Sequence, residues 1–307
     1  MQDHEPARPA AVALAYALVC VVWGSTYLFI KVGVEVLPPY LLGGVRFSIA
    51  GPVLLAICLA TRRRLPGRAD FLRTAAVGVL LLVIGNGLLN LSEQHLSSGL
   101  AALLVVTFAL WTTLFAMLGR GAERLSKTGW LGLLIGIAGV AILVRPFEEV
   151  ESSWTGVIAV LIASFAWAIG TVYARRSIRG VDPFAASAIE TTVAGPLMIG
   201  VYLLLERNAA VTWNGQAWVA VLYLAVMGSL VGFTAYVYIT AHMSSSKVGT
   251  YAYVNPVVAV LLGWWVLDEA VSWRFLAGGV TVLVGLLLVY LARVREARPC
   301  RQAPVEG

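Results

Sequence analysis

Charged residues are scarce in this chain, at 12% of its 307 residues, whereas ordinary soluble domains hold about 25%. A soluble protein of this length needs a charged surface, and there are too few charges here to provide one. Apolar residues make up 60% of the chain, and the mean hydropathy is +0.85. These proportions argue against a soluble protein and favour a chain whose solvent is the lipid bilayer.

Cysteine and histidine are also rare, with three residues of each. Cys20, Cys58 and Cys300 are far apart and odd in number, which predicts neither a disulfide framework nor a metal site. The histidines are isolated, so no catalytic constellation is evident. The chain also lacks a phosphate-binding loop. The sequence therefore predicts no cofactor, no metal and no enzyme.

Basic residues outnumber acidic ones by 22 to 16, but their placement does not indicate a nucleic-acid partner. They lie in short clusters between long apolar runs, and not along one face with interleaved aromatic residues. The predicted partner of the apolar surface is the lipid bilayer. A homodimer is left open.

The apolar residues form ten runs of about 20 residues, the length that a helix needs to cross the hydrocarbon core. Continuous runs predict helices and not barrel strands, which alternate. The predicted spans are 11–31, 39–60, 73–91, 96–118, 127–145, 154–174, 183–205, 214–240, 246–267 and 273–292. We therefore predict an all-α polytopic membrane protein with ten transmembrane helices.

The basic residues also predict the orientation of these spans. With the N-terminus in the cytoplasm, 17 of them fall on the cytoplasmic side and four on the other, and only Arg46 lies within a span. The acidic stretch at 147–154 falls outside the cell. Both termini are then cytoplasmic, residues 293–307 form a basic cytoplasmic tail, and the predicted location is the inner (plasma) membrane.

The chain contains an internal repeat. Residues 23–52 align without a gap to 167–196, and Trp23 matches Trp167. The halves, 11–145 and 154–292, hold five spans each, and this odd number places the second half upside down relative to the first. Inverted repeats are typical of alternating-access transporters, whose substrate sites lie between the halves.

Several motifs resemble one family in combination: WGSTY at 23–27, PPYLLGGVRF at 38–47, ERLS at 123–126 and VGTYAYVNPVVAVLLG at 248–263. Together they resemble the EamA-type exporters of the drug/metabolite transporter superfamily. The resemblance covers nearly the whole chain and implies a 5+5 inner-membrane exporter of small metabolites. Many relatives have a proline in the fourth helix where this chain has Phe108, so the resemblance does not predict a kink there.

Aromatic and polar residues near mid-depth predict the wall of a substrate cavity. Trp23 and Trp167 each lie about 12 residues into their spans, and Tyr27 and Thr171 follow four positions later on the same faces. Tyr251 is a further candidate, although neighbouring tyrosines on different helix faces cannot all point inward. The predicted substrate-binding residues are Trp23, Tyr27, Asn86, Asn90, Trp111, Trp167, Thr171, Tyr236, Tyr253 and Asn255.

Three further residues are predicted to have gating or structural roles. Arg46 and Glu190 occupy equivalent positions in the two halves, and about 10 Å of depth separates them, which is too far for a salt bridge. We therefore expect Arg46 to reach outward or to bond carbonyl groups, and Glu190 to meet the basic cluster at 175–179. Pro256 lies within a helix and frees a backbone carbonyl that Asn255 or another group must satisfy.

These features predict a secondary transporter that exports small organic metabolites, with amino acids or aromatic metabolites as the first candidates. A small multidrug-type cation/proton antiporter is an alternative, but the first span has no carboxylate for proton exchange. Phosphorylated substrates would need more cationic residues within the spans. A membrane-embedded enzyme or a structural scaffold is the alternative from a different class.

Overall fold

A computed structural model describes residues 9–117, 125–144, 154–178, 180–243 and 245–296. Within these ranges the chain is helical and contains no strand, which confirms the predicted all-α class. Each predicted apolar run coincides with a helix. The ten helices, named α1 to α10, are Pro9–Val34, Pro39–Ala60, Arg68–Glu93, Ser98–Phe115, Lys127–Val144, Trp154–Ser177, Pro183–Glu206, Gly215–His242, Tyr251–Leu267 and Trp273–Glu296.

Eight of these helices are long and apolar enough to cross a membrane, and two, α5 and α9, are shorter apolar helices. Local sequence explains where several of them begin. Pro39 and Pro183 occupy first-turn positions, where the missing amide proton costs no hydrogen bond. Asp182 accepts hydrogen bonds from the first amides of α7, and Asn214 does the same for α8.

Three of the described helices contain π-helical segments, one of them at Tyr202–Glu206 in α7, and the other two lie at equivalent places in the two halves. One segment is Val79–Asn86 in α3, and the other is Leu224–Val231 in α8. Such segments widen the helix locally and are frequent at functional sites. Both of them lie beside the cavity that is described below.

The α2 and α7 helices form a close antiparallel pair through small residues. A Cβ atom on Gly51 would lie 2.6 Å from the Cα of Thr192, and one on Gly195 would lie 2.6 Å from the amide nitrogen of Ser48. Glycine therefore lets the two backbones touch, as is common between membrane helices. An ion pair of 2.9 Å between Arg63 and Asp182 joins one end of the pair.

The α5 and α10 helices also meet through glycines. Gly132 lies against the backbone of Gly285, and Gly139 lies against that of Gly278. The sequence repeat equates Gly132 with Gly278 and Gly139 with Gly285, so equivalent residues contact one another crosswise.

The contacts of α1 and those of its equivalent α6 also correspond between the two halves. In the first half α1 packs against α8 and α9, and its equivalent α6 packs against α3 and α4. One contact is not matched: α1 also packs against the end of α3 and the start of α4, whereas the described residues of α6 make no comparable contact with the end of α8 and the start of α9. The two ends of the bundle therefore differ.

Candidate functional site

A cavity of about 290 Å³ lies between the two halves of the chain. Its wall is formed by every helix except α5 and α10. Seven of the predicted substrate-binding residues line it, together with all three predicted gating or structural residues. These ten are Trp23, Tyr27, Asn86, Trp167, Thr171, Tyr236, Asn255, Arg46, Glu190 and Pro256.

An aromatic cluster forms one side of the cavity. The Trp23 ring lies 5.1 Å from Tyr236, 5.2 Å from Tyr251 and 5.9 Å from Phe233, measured between ring centroids. Its indole nitrogen donates a 3.0 Å hydrogen bond to the carbonyl oxygen of Gly228, in the π-helical segment of α8. The hydrogen bond and the ring contacts define the orientation of Trp23 in the cavity wall.

Trp167 occupies the equivalent position on the other side. A Cβ atom on Gly85 would lie 2.7 Å from its indole nitrogen, so Trp167 packs directly on the π-helical segment of α3. Each of the two repeat-related tryptophans therefore contacts a glycine in a π-helical segment of the opposite half. Phe108 also lines the cavity.

Arg46 is buried, with 6% of its surface exposed, and lines the cavity. Its Nε donates a 3.0 Å hydrogen bond to the hydroxyl oxygen of Ser229, and its guanidinium carbon lies 4.7 Å from the centroid of the Phe47 ring. The expectation that Arg46 reaches outward or bonds carbonyl groups is wrong. Its partner is a side-chain hydroxyl because the π-helical segment of α8, which carries Ser229, packs on α2.

Glu190 is half-buried and lines the same cavity. Within the described part of the chain it accepts no hydrogen bond and forms no ion pair. The expected contact with Arg175 and Arg176 is therefore wrong, and Arg179 lies outside the described residues. Glu190 packs tightly on Gly78, where a Cβ atom would lie 2.8 Å from its Cα, and this contact fixes the backbone to which its carboxyl group is attached.

Arg46 and Glu190 do not form a salt bridge, as the sequence predicts. The contacts of Gly51 with Thr192 and of Gly195 with Ser48 place Arg46 opposite residue 197 in the antiparallel pair. Glu190 is seven residues from that point, which corresponds to about 10 Å along the helix axis.

Three predicted site residues lie outside the cavity wall. Asn90 donates a 3.0 Å hydrogen bond to the carbonyl oxygen of Pro39, and Trp111 packs edge-on against Phe165. Tyr253 donates a 3.1 Å hydrogen bond to the carbonyl oxygen of Leu286. These side chains join neighbouring helices to one another.

Tyr251 lines the cavity although Tyr253 does not. The signal for this choice is in the sequence, because Tyr251 and Asn255 are four residues apart and share one helix face. With its amide nitrogen turned toward them, Asn255 reaches the carbonyl oxygens of Tyr251 and Cys20, each at 3.1 Å. Helix α9 begins at Tyr251, so Pro256 lies in its second turn and not in mid-helix as predicted.

The cavity is closed at one end of the bundle. We call this end, which carries Lys31 and Glu93, the Lys31 end. The lining residues nearest to it, Ile30 and Leu89, are 1% and 3% exposed. Lys31 crosses from α1 and donates hydrogen bonds of 2.8 and 2.9 Å to the carbonyl oxygens of Glu93 and Leu96. These bonds and the apolar contacts around them seal this end.

The opposite end, which we call the Ser187 end, is not sealed in this way. The lining residues there, Ser187, Glu190, Tyr236 and Tyr251, are all half-buried. This end also lacks, among the described residues, the extensive packing of α6 on α8 and α9 that would match the seal. A small molecule therefore meets a cavity that is accessible from the Ser187 end and closed at the Lys31 end.

Several known proteins are similar to this chain over nearly its whole length. The model of the EamA-like transporter family matches residues 10–145 and 154–291. The Escherichia coli protein named as the inner membrane transporter YedA is 38% identical over 91% of this chain and 90% of its own length. The Bacillus subtilis transporter YdfC is 27% identical over 92% of each chain. One solved crystal structure superposes with a TM-score of 0.65 at 22% identity, covering 94% of this chain and all of the other, and so shares the fold.

Proposed function

Because the chain belongs to the EamA-like transporter family, we propose that this multi-pass inner membrane protein is a secondary transporter that exports small organic metabolites by alternating access. The observation that carries this proposal is the cavity between the halves, which is sealed at the Lys31 end and accessible at the Ser187 end. Alternating access requires a central site that reaches one side of the membrane at a time.

We further propose that the ten helices cross the membrane as two inverted five-helix repeats. The crosswise glycine contacts of α5 with α10 support a two-fold relation between the halves. The equivalent π-helical segments and the equivalent positions of Trp23 and Trp167 support it as well.

The orientation that we propose, with both termini in the cytoplasm, rests on the 17-to-4 distribution of basic residues. The Ser187 end then faces the cytoplasm, from which an exporter loads its substrate. Reporters inserted at Glu149 and fused after residue 301, both outside the described residues, test this orientation. A cytoplasmic reporter after residue 301 together with an external reporter at Glu149 supports it, and any other pair of locations contradicts it.

Amino acids and aromatic metabolites are the substrates that we propose first. The aromatic cluster around Trp23 offers apolar ring faces, and Arg46 and Glu190 offer one charge of each sign. Aromatic faces bind planar groups and cations, and guanidinium groups bind carboxylates. A small multidrug-type antiporter is less favoured, since α1 carries no carboxylate among its described residues.

The test is an efflux screen in intact cells with pooled amino acids and aromatic metabolites. We expect Trp23→Ala and Trp167→Ala each to reduce export at least tenfold, with folded protein retained, because each removes one wall of the cavity. Trp130→Ala, on the exposed face of α5 away from the cavity, is the matched control. Unchanged export in the Trp23→Ala/Trp167→Ala double variant contradicts the assignment of the site.

A further inference from the structure

Arg46 has hydrogen-bonding capacity that the protein does not use. The guanidinium group carries five N–H donors, and within the described residues only its Nε donates a hydrogen bond, to Ser229. The terminal nitrogens belong to a side chain that is more than nine-tenths buried and lines the cavity. A buried cation with unused donors is costly unless an anionic or polar group meets it. This part of the cavity is therefore suited to a carboxylate.

Glu190 offers the opposite charge at the other end of the same cavity. It has no ion pair or hydrogen bond among the described residues, and it lies on the half-buried side near the Ser187 end. Tyr236 lines the same cavity. A carboxylate beside an aromatic ring is suited to an ammonium group.

The two charges are held apart. Their backbones are separated by about 10 Å along the axis of the α2–α7 pair. Helix side chains tilt toward the N-terminus of their own helix. The N-termini of α2 and α7 lie at opposite ends of this antiparallel pair, so the tilt directs Arg46 toward the Lys31 end and Glu190 toward the Ser187 end. The hydrogen bond of Arg46 to Ser229 agrees with this direction, since Tyr236, which lines the cavity together with Glu190, lies seven residues further along α8.

We propose that the cavity binds an elongated amphoteric ligand, whose carboxylate contacts Arg46 and whose ammonium group contacts Glu190, with an apolar or aromatic body between them. Trp23 and Tyr236 flank the space between the two charges and pack on that body. A ligand with both charges on one carbon atom reaches only one of the two residues. This inference rests on the proposed function, because it names the substrate class of the same cavity.

Two isomeric probes separate these possibilities. In 4-(aminomethyl)benzoate the ring stands between the charges, whereas in phenylglycine both charges are on one carbon atom. Binding is measured from the shift in thermal unfolding temperature of the purified full-length protein across a range of probe concentrations. We expect 4-(aminomethyl)benzoate to bind about tenfold more tightly than phenylglycine, because it forms one more charge-assisted contact.

A variant of Glu190 tests whether this residue contacts the ammonium group of the probe. Glu190→Gln should lower the affinity for 4-(aminomethyl)benzoate to that for 4-methylbenzoate, and it should leave the affinity for 4-methylbenzoate unchanged. Asp70→Asn removes an acidic group from a surface ion pair with Arg73, outside the cavity, and is the matched control. In the wild-type protein, 4-methylbenzoate and 4-methylbenzylamine each carry one charge and should each bind more weakly than the amphoteric probe.

Three results overturn the inference: equal binding of the two isomers, a preference that persists in Glu190→Gln, and binding of neither isomer. None of these contradicts transport itself. If the efflux screen still identifies an exported metabolite, the proposed function stands and the assigned charge separation is wrong. If the probes bind as expected but no solute is exported, the cavity is a binding site and the transport proposal is wrong.

Discussion

Arg46, Glu190 and Glu93 are charged residues inside the helix bundle, and their side chains have different surroundings. Arg46 bonds a hydroxyl group, and Glu190 faces the cavity without a protein partner in the described region. Glu93 is fully buried, and neither of its carboxyl oxygens has a hydrogen-bond partner among the residues that the structure describes. Lys31, although close to it, donates to the backbone carbonyl of Glu93 and not to its carboxyl group. The burial of Glu93 is therefore not offset by a hydrogen bond to its carboxyl group within the described part of the chain.

We expect Glu93→Met to raise the melting temperature of the purified protein by a few degrees. Replacing a buried unsatisfied polar group with an apolar one of similar shape removes a cost of about 1–3 kcal/mol. Glu269→Met is the matched control, because the Glu269 carboxylate accepts hydrogen bonds of 2.7, 3.0 and 3.2 Å from Ser98 and Gly99. It should lower the melting temperature. A Glu93→Met protein that unfolds earlier than the wild type contradicts the account of this residue.

Cavity residues could be predicted from the sequence where the depth of a residue along its span was enough to place it in the cavity wall. Trp23 and Trp167 are marked by the repeat and lie at mid-depth, where the cavity is. Asn90 and Trp111 lie at comparable depth but face neighbouring helices. The rotation of each helix about its axis depends on packing against other helices, and one sequence with apolar residues on all sides does not reveal it.

At the scale of elements, the α2–α7 pair depends on glycine at the points of closest approach. Gly195→Ala should lower the melting temperature, because its Cβ atom would lie 2.6 Å from the backbone nitrogen of Ser48 and neither backbone can yield. Overpacking of this kind costs about 1–3 kcal/mol.

Gly200→Ala is the matched control on the same helix, since nothing lies within 4 Å of the position of its Cβ atom. This change should be neutral or slightly stabilising, because alanine has the higher helix propensity. Equal melting temperatures for the two variants contradict the close approach of α2 and α7.

Helix positions were more predictable than helix boundaries. Every predicted run coincides with a helix, because a stretch of about 20 apolar residues has few alternatives in a bilayer. The third helix begins at Arg68 and not at residue 73, and it ends at Glu93 and not at 91. Hydropathy does not detect the charged turns of a helix that extends beyond the apolar core. The π-helical segments were not predicted, since their sequences are as apolar as those of ordinary helix.

At the scale of the whole molecule, the two halves make equivalent contacts except at the two ends of the cavity. Packing of α1 on the end of α3 and the start of α4 closes the Lys31 end. If the halves exchange roles, α6 makes the equivalent contact with α8 and α9, and the Ser187 end closes while the Lys31 end opens. The sequence repeat predicts that both arrangements are available, but a single sequence does not show which one the chain adopts.

Distances between paired spin labels in lipid bilayers test this exchange most directly. One pair, Glu35→Cys with His95→Cys, spans the Lys31 end, and a second pair, Ser177→Cys with Thr240→Cys, spans the Ser187 end. Each pair is placed in a background that lacks the native cysteines. Removing the seal with Lys31→Met deletes the hydrogen bonds to Glu93 and Leu96. Alternating access through this cavity predicts that Lys31→Met shifts the first pair toward longer distances and the second pair toward shorter ones. Lengthening of the first pair with no change in the second, or no change in either, would contradict alternating access through this cavity.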